Sequence, residues 1–306
     1  MSTPEVFDVR ALRRQRDRRA ASTMADDSLL AELANRLVDR VADVTRRFPC
    51  VLDLGGRHGP LARALRIHDP ETEVVVAEPS AVLAAAAPVA SVVMDLERLP
   101  FADASFDAVV SAGSLQWVND LPGLLVQIRH VLRPDGLLLA AFPGGDTLIE
   151  LRQALLAAEL DVSDGASPRV APFVDVRDLG ALLQRAGFVL PVVDVDRVVL
   201  TYPDPLQLLR EIRHAGEANL LRGRGQKPLS RRVLARTFER YAAEHVDHRG
   251  RLQVTVDLLF ATGWSPAPNQ PQPARRGTGT VNLAKAMGVD PAILDGTRKA
   301  GGGATD

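Results

Sequence analysis

The stretch that most restricts how this chain can fold is Val51-Leu52-Asp53-Leu54-Gly55-Gly56-Arg57-His58-Gly59, followed by Pro60-Leu61-Ala62-Arg63-Ala64-Leu65. A short apolar run ends in an acid and glycines, and then a helical pattern begins. That order spells a buried strand, a tight turn and a crossover helix, the first unit of a βαβ fold. Glycines in such a turn let the backbone approach a ligand and adopt angles that other residues avoid. A dinucleotide loop would carry G-x-G-x-x-G against a pyrophosphate, and this loop lacks that spacing. A nucleoside-like cofactor is the other ligand that suits the turn.

The alternation continues along the chain. Glu73–Glu78 reads as a second strand, stopped by Pro79, with Ser80 placed to cap a short Ala-rich helix. Ser91–Asp95, Phe106–Ser111 and Leu137–Phe142 read as three more strands, with a helix over Asp120–Leu132 before the last. Apolar strands alternating with helices predict a parallel sheet covered on both faces. Ligands of such sheets bind at the carboxyl ends of the strands, where the strand order reverses.

Helices are expected over 147–160 and 175–187, strands over Val192–Tyr202 and Leu252–Ala261, and an amphipathic helical stretch over 205–248 between those strands. Ahead of the sheet, residues 8–20 form an Arg-rich segment of high helix propensity with few apolar anchors. Its plain reading is a solvated helix face; a lid or partner-docking arm is the alternative. Leu29, Leu30, Leu33, Leu37, Val38 and Val41 then keep helical spacing. From Ser265 the chain is rich in Pro, Gly and Gln and reads as disordered. The expected organisation is a helical arm over 1–47, one α/β domain over 48–264 with a cap at about 205–248, and a tail over 265–306.

Composition narrows the function. The formal net charge is −1, so nothing pulls the whole chain toward nucleic acid or an anionic membrane. Its basic stretches lack interleaved aromatics, which argues against a nucleic-acid module. The single cysteine, Cys50, excludes an intramolecular disulfide and any multi-Cys zinc site. With no long apolar run and no signal peptide, the expectation is a cytoplasmic protein, associated with a membrane only through a partner. His245-Val-Asp-His248 superficially offers metal ligands, but i and i+2 do not share a helix face.

A site for a nucleoside-like cofactor needs a glycine turn, an acid for the ribose diol, a polar group for the base and a clear approach to the reacting atom. The chain offers Asp53, Gly55, Gly56, Arg57 and Gly59 around the first turn, Glu78 ending the second strand, and Asp95 with Leu96 at the third. Ser111 and Gln116 follow at the fourth. Glu78 lies near the offset from Asp53 expected of a ribose-binding acid.

The series resembles the class I S-adenosyl-L-methionine (SAM) methyltransferases. Asp53-x-Gly-x-x-x-Gly59 is similar to their first motif, with Arg57 where that motif has its middle glycine. Leu99-Pro-Phe-x-Asp-x-Ser-Phe-Asp107 and Leu132-Arg-Pro-Asp-Gly136 match further recurrent motifs. The resemblance implies a Rossmann-like seven-stranded fold with a helical cap inserted between the last two strands, and SAM as cofactor. At Arg57 a cation would stand near the cofactor's carboxylate, helping by charge or hindering by bulk.

A narrower resemblance rests on Ser114-Leu-Gln-Trp-Val-Asn-Asp-Leu-Pro122, Gly144-Gly-Asp-Thr-Leu148, Ser167-Pro-Arg-Val-Ala-Pro-Phe173, Asp178–Phe188, Tyr202-Pro-Asp-Pro-Leu and Thr262-Gly-Trp264. These are similar to the respiratory complex I assembly factors with a methyltransferase fold, the fifth factor in the usual naming, and their bacterial relatives. That resemblance implies a protein substrate, an arginine on the iron–sulfur subunit of complex I, modified by hydroxylation or methylation. The malonyl-carrier-protein methyltransferases of biotin synthesis are similar in the front half and form the alternative. A SAM-binding assembly chaperone without turnover is a third reading.

Within these motifs Trp117 is either core or a wall beside the methyl group, with Gln116 and Asn119 as polar neighbours. Asp146 is the site-facing candidate after the fifth strand. Thr147 and Glu150 have the spacing of a capping box. Arg169 sits in a Pro-bounded loop that would cover the pocket.

Overall fold

β1 (Cys50–Leu54), β2 (Glu73–Glu78), β3 (Ala90–Val93), β4 (Phe106–Ala112), β5 (Leu132–Gly144), β6 (Val189–Tyr202) and β7 (Leu252–Trp264) form one sheet in the order β3-β2-β1-β4-β5-β7-β6. This computed structural model describes residues 5–163, 165–224 and 229–270. β1 to β5 pair in parallel, whereas β7 runs antiparallel to both β5 and β6. The strand order reverses between β1 and β4, which places a ligand crevice at their carboxyl ends. Residues up to Ala267 belong to one unit; the second, 268–306, lies almost wholly outside the described residues.

The helices are α1 (Val9–Ala25), α2 (Ser28–Ala42), α3 (Pro60–His68), α4 (Ala81–Ala85), α5 (Leu121–Val131), α6 (Ile149–Val162), α7 (Val176–Arg185), α8 (Pro205–His214) and α9 (Arg231–Glu244). Most begin where a short polar side chain can take up a free amide. Asp8, Ser80, Asp120, Asp175, Asp204 and Ser230 each accept a backbone N–H of the first turn. α3 starts differently, with Gly59 at a φ of 82° and Pro60 supplying a preset first residue.

Because β1 to β5 are apolar on both faces, each face carries its own core. Leu52, Leu54, Val109, Leu138 and Phe142 pack under α5 and α7. Val51, Val110, Leu139 and Phe260 pack under α2 and α3. A third cluster, around Tyr202, Leu208, Tyr241 and Leu151, joins α6, α8 and α9 to the sheet's antiparallel end.

Several expectations shift in detail. The third strand ends at Val93, so Asp95 lies beyond it in an exposed turn, its side chain accepting the Glu97 amide. Pro134 does not stop β5 from starting at Leu132, because the pairing with β4 absorbs a register shift there. The expected capping box does not form. Thr147 Oγ donates to the Gly144 carbonyl and accepts the Asp257 amide, while Glu150 accepts both the amide and the hydroxyl of Thr255. β7 runs alongside and recruits both groups, and α6 starts from Leu148 with no side-chain cap. At the far end, Ser265 is buried and exchanges backbone hydrogen bonds with Asp135 and Gly136; of the tail expected to be disordered over 265–306, residues 265–270 are described and 271–306 lie outside the described residues.

α8 and α9 do lie in sequence between β6 and β7. Among the described residues of that stretch, only the segment after α8 reaches the glycine turn, through Ala215 and Glu217. α9 packs on α6 instead.

Candidate functional site

The carboxyl ends of β1, β2 and β4 converge on a small set of polar groups that the apolar strands carry into the interior. Asp53, in β1, is fully buried, and neither of its carboxylate oxygens has a hydrogen-bond partner among the described residues. Burial pushes its pKa up to about 7 and the charge of Glu78 adds to the rise; the Ala62 amide, which faces the carboxylate outside hydrogen-bond geometry, opposes it. Glycine is required at 56 because a Cβ there would stand 2.4 Å from the Asp53 carboxylate. Gly55, at a φ of 71°, would carry its Cβ into Ser114 at the same distance.

Glu78 closes β2 and is also fully buried. One oxygen accepts the Ser80 amide at 2.9 Å; the other accepts the Arg57 amide at 3.1 Å. That second oxygen also takes the Arg16 guanidinium of α1 at 2.6 Å. Arg16 donates as well to Ser114 Oγ, which in turn donates to the Gly55 carbonyl. Asp17, next to it, accepts the Ser80 hydroxyl at 2.5 Å. The basic segment read as a solvated face thus sends one arginine into the interior, while Arg10, Arg13, Arg14, Arg18 and Arg19 stay exposed.

Arg57 occupies the turn with a φ of 53°, a left-handed conformation that costs a side-chain-bearing residue about 1 kcal/mol. Its guanidinium donates to the carbonyls of Gly113 and Ala215 and pairs with Glu217 at 2.8 Å. Burial holds its pKa below the usual guanidinium range, with the Arg16 charge adding to that and Glu217 opposing it. Glu217 also accepts Trp117 Nε1 at 2.8 Å and Gln116 Nε2 at 3.3 Å. Trp117 is buried and meets Phe7 edge-on, 5.4 Å between ring centres.

The structure therefore brings Asp53, Gly55, Gly56, Arg57, Gly59, Glu78, Gln116 and Trp117 to one end of the sheet. Leu96 joins them from the loop after β3, with a methyl 3.6 Å from where a Gly55 Cβ would be. Ser111 is at that end too, its hydroxyl spent on the Leu54 carbonyl. Asp146 belongs to a different cluster: it is exposed and pairs with Arg197, which also holds Asp257. Arg169 pairs with Glu159 of α6 rather than facing this crevice.

Sequence reasoning missed Arg16, Ser114 and Glu217. Arg16 had a signal, since Leu12, Arg16 and Ala20 recur at i, i+4 and i+8 and all are buried. Glu217 had none, because it sits in an irregular segment brought in by α8.

The methyltransferase domain family matches residues 14–191. The chain is similar to the mitochondrial arginine hydroxylase NDUFAF5 of Danio rerio, 38% identical over 287 residues that cover 91% of this chain and 88% of that protein. It is similar also to the malonyl-[acyl-carrier protein] O-methyltransferase of Laribacter hongkongensis, 37% identical, covering 82% of this chain and 87% of that one. Among solved structures, a Bacillus halodurans protein assigned to the methyltransferases superposes with a TM-score of 0.54 at 16% identity, covering 76% of this chain and 99% of that chain. At that identity the likeness speaks for the fold.

Proposed function

The chain belongs to the methyltransferase-domain family and, within it, to the group that includes the arginine hydroxylase NDUFAF5, and on that footing we propose that it binds SAM and modifies an arginine side chain of a respiratory complex I subunit during assembly of that complex. The observation that carries the reading is the pairing of the glycine turn with a fully buried acid, Glu78, at neighbouring strand ends beside the point where strand order reverses.

The residues fit the cofactor. Glu78 stands where a ribose diol would be held, the turn at Gly55–Gly59 lets the backbone come close, and Leu96 offers an apolar surface to a base. Asp53, below the turn, has two buried oxygens without partners. The fit requires Arg16 to leave Glu78, since its guanidinium lies on the oxygen that the diol would take. When bound, the cofactor supplies a methyl group activated on a sulfonium. The protein's own part is positioning: it orients the acceptor, and Trp117, Gln116 and Glu217 form the wall beside it.

An arginine acceptor suits the chemistry of this end of the sheet. Two of the chain's own guanidinium groups are already held there, Arg16 by Glu78 and Ser114, and Arg57 by Glu217 and two carbonyls. We assign the acceptor to the complex I subunit that carries the terminal iron–sulfur cluster, with membrane association arising only through that partner and the protein itself cytoplasmic. Among the described residues no helix is long and apolar enough to cross a membrane. Malonyl-carrier-protein methylation is the second reading, favoured by the Laribacter relative. A SAM-binding chaperone without turnover is the third, favoured by the guanidinium on Glu78.

Calorimetric titration with SAM and with its demethylated product tests the cofactor site. Saturable binding is expected, and its loss in Glu78→Ala; failure of both ligands to bind the native protein would overturn the reading. Mass spectrometry of the arginine-bearing subunit then separates an added methyl from an added oxygen. Rescue of a deletion strain by biotin, with complex I intact, would move the assignment to the carrier-protein substrate.

A further inference from the structure

Beside the site, between α1, the end of α8 and the segment after it, lies a cavity of about 390 Å³. Arg14, Arg18 and Arg19 of α1 line it from one side; Arg213, Asn219 and Arg224 line it from the other. Asp8 is the one carboxylate that reaches any of these arginines among the described residues, 4.0 Å from Arg14 and 3.2 Å from Arg224. Arg18, Arg19 and Arg213 have no ion-pair or side-chain hydrogen-bond partner among the described residues. Five guanidinium groups thus face one acid, although the chain as a whole carries a net charge of only −1.

Such a wall is costly to assemble. Arg14 and Arg18 stand four residues apart on one helix face, where like charges destabilise each other. The other acid of that segment, Asp17, is engaged by Ser80 on the opposite side. The cavity also adjoins the site. Gln15 Nε2, within its wall, donates to the Gly216 carbonyl, and the next residue, Glu217, holds Arg57 and Trp117. Arg16, between these cavity arginines in sequence, points the other way onto Glu78.

We propose that this arginine-lined cavity docks an acidic peptide segment of the protein substrate, flanking the side chain that enters the site. This rests on the proposed protein substrate and names how that substrate is recognised. Carboxylates spaced along an extended peptide can reach several of the guanidinium groups at once, and the cavity has room for a few side chains. Because the wall is solvated and cationic, its contribution is to capture and orient an acidic partner, and it weakens with salt.

The test is fluorescence anisotropy of a labelled Asp/Glu hexapeptide titrated with the full chain at low ionic strength. We expect saturable binding that weakens about tenfold or more in Arg18→Glu/Arg213→Glu, and that falls steeply as salt is added. Arg66→Glu, an exposed arginine on α3 away from the cavity, should change it less than about twofold. Absence of binding, or equal weakening by Arg66→Glu, would overturn the proposal. So would inorganic pyrophosphate displacing the peptide at far lower concentration than an unlabelled copy of it, since the cavity would then be a small-anion site. SAM titration of the double variant keeps the two readings apart: retained SAM binding with lost peptide binding isolates this cavity, and retained peptide binding with no SAM binding isolates the cofactor site.

Discussion

The sheet and its cover are held by different physics. β1 to β5 are bound by backbone ladders and by two apolar cores, which completely bury Leu52, Val109, Leu138 and Phe142 on one face and Leu37, Ala62, Val76 and Ala141 on the other. The cover, made of α1 and the segment after α8, meets the sheet through guanidinium groups: Arg16 on Glu78 and Arg57 on Glu217. Its apolar share is one small cluster around Phe7, Leu12, Trp117 and Leu220. A buried ion pair contributes little net stability over the separated, hydrated ions, yet it is specific about geometry. On the proposed reading the sheet is the permanent part, and the cover holds, through Arg16, the Glu78 oxygen that a ribose diol would take.

The largest effect that would sharpen this contrast lies on the sheet side, at Asp53. Its folded pKa is about 7 against 3.8 for the free group. Between those values the unfolded chain gives up the proton that the folded chain keeps, so this group's contribution falls as pH rises through the window. The loss amounts to about 4 kcal/mol at pH 7 and above relative to pH 4. Asp53→Asn removes the titration. Urea unfolding at both pH values should show the variant gaining stability over the native protein at neutral pH and not in acid. Parallel pH dependences for the two proteins would place the carboxylate in a wetter site than its burial indicates.

Next in size is the cover itself. Arg16→Ala frees the Glu78 oxygen that a ribose diol would take, while the Arg57 and Ser80 amides still hold the carboxylate. Cofactor affinity should rise about tenfold, because binding no longer has to displace the resident cation. α1, losing its buried anchor, should be cut faster by trypsin at Arg18 and Arg19. Arg16→Gln, which keeps most of the side-chain volume, distinguishes loss of charge from loss of packing. Unchanged affinity in both variants would mean that α1 does not compete with the cofactor.

The same contrast explains what could be read in the chain. β1, β2 and β4 were legible because each is a short apolar run with a breaker after it, and β2 is bounded by Glu73 and Glu78 as the sequence indicated. The glycine turn and Glu78 were legible because a βα turn places its residues at fixed offsets. The cover was not, because its contacts join residues far apart in sequence, such as Arg57 with Glu217 and Arg16 with Glu78. Thr147 and Glu150 had the spacing of a helix cap and were claimed instead by β7, a tertiary neighbour that no local pattern announces. Asp146 looked like a site residue by its place after β5 and is held outward by Arg197, a partner supplied by β6.

The smallest effect falls at the seam between the two regions, and it is the most discriminating. Arg57→Gly relieves a left-handed backbone strain of about 1 kcal/mol and removes a cation whose burial is unfavourable. It also deletes the ties to Gly113, Ala215 and Glu217, leaving Glu217 with Trp117 and Gln116. These changes oppose each other, so the melting temperature should move little, by the equivalent of less than about 1 kcal/mol. Cofactor affinity should rise by about threefold, since the cover loosens without losing the Arg16 contact. If affinity falls instead, Arg57 is a cofactor ligand pairing with the cofactor's carboxylate, and the seam is part of the binding site rather than a latch over it.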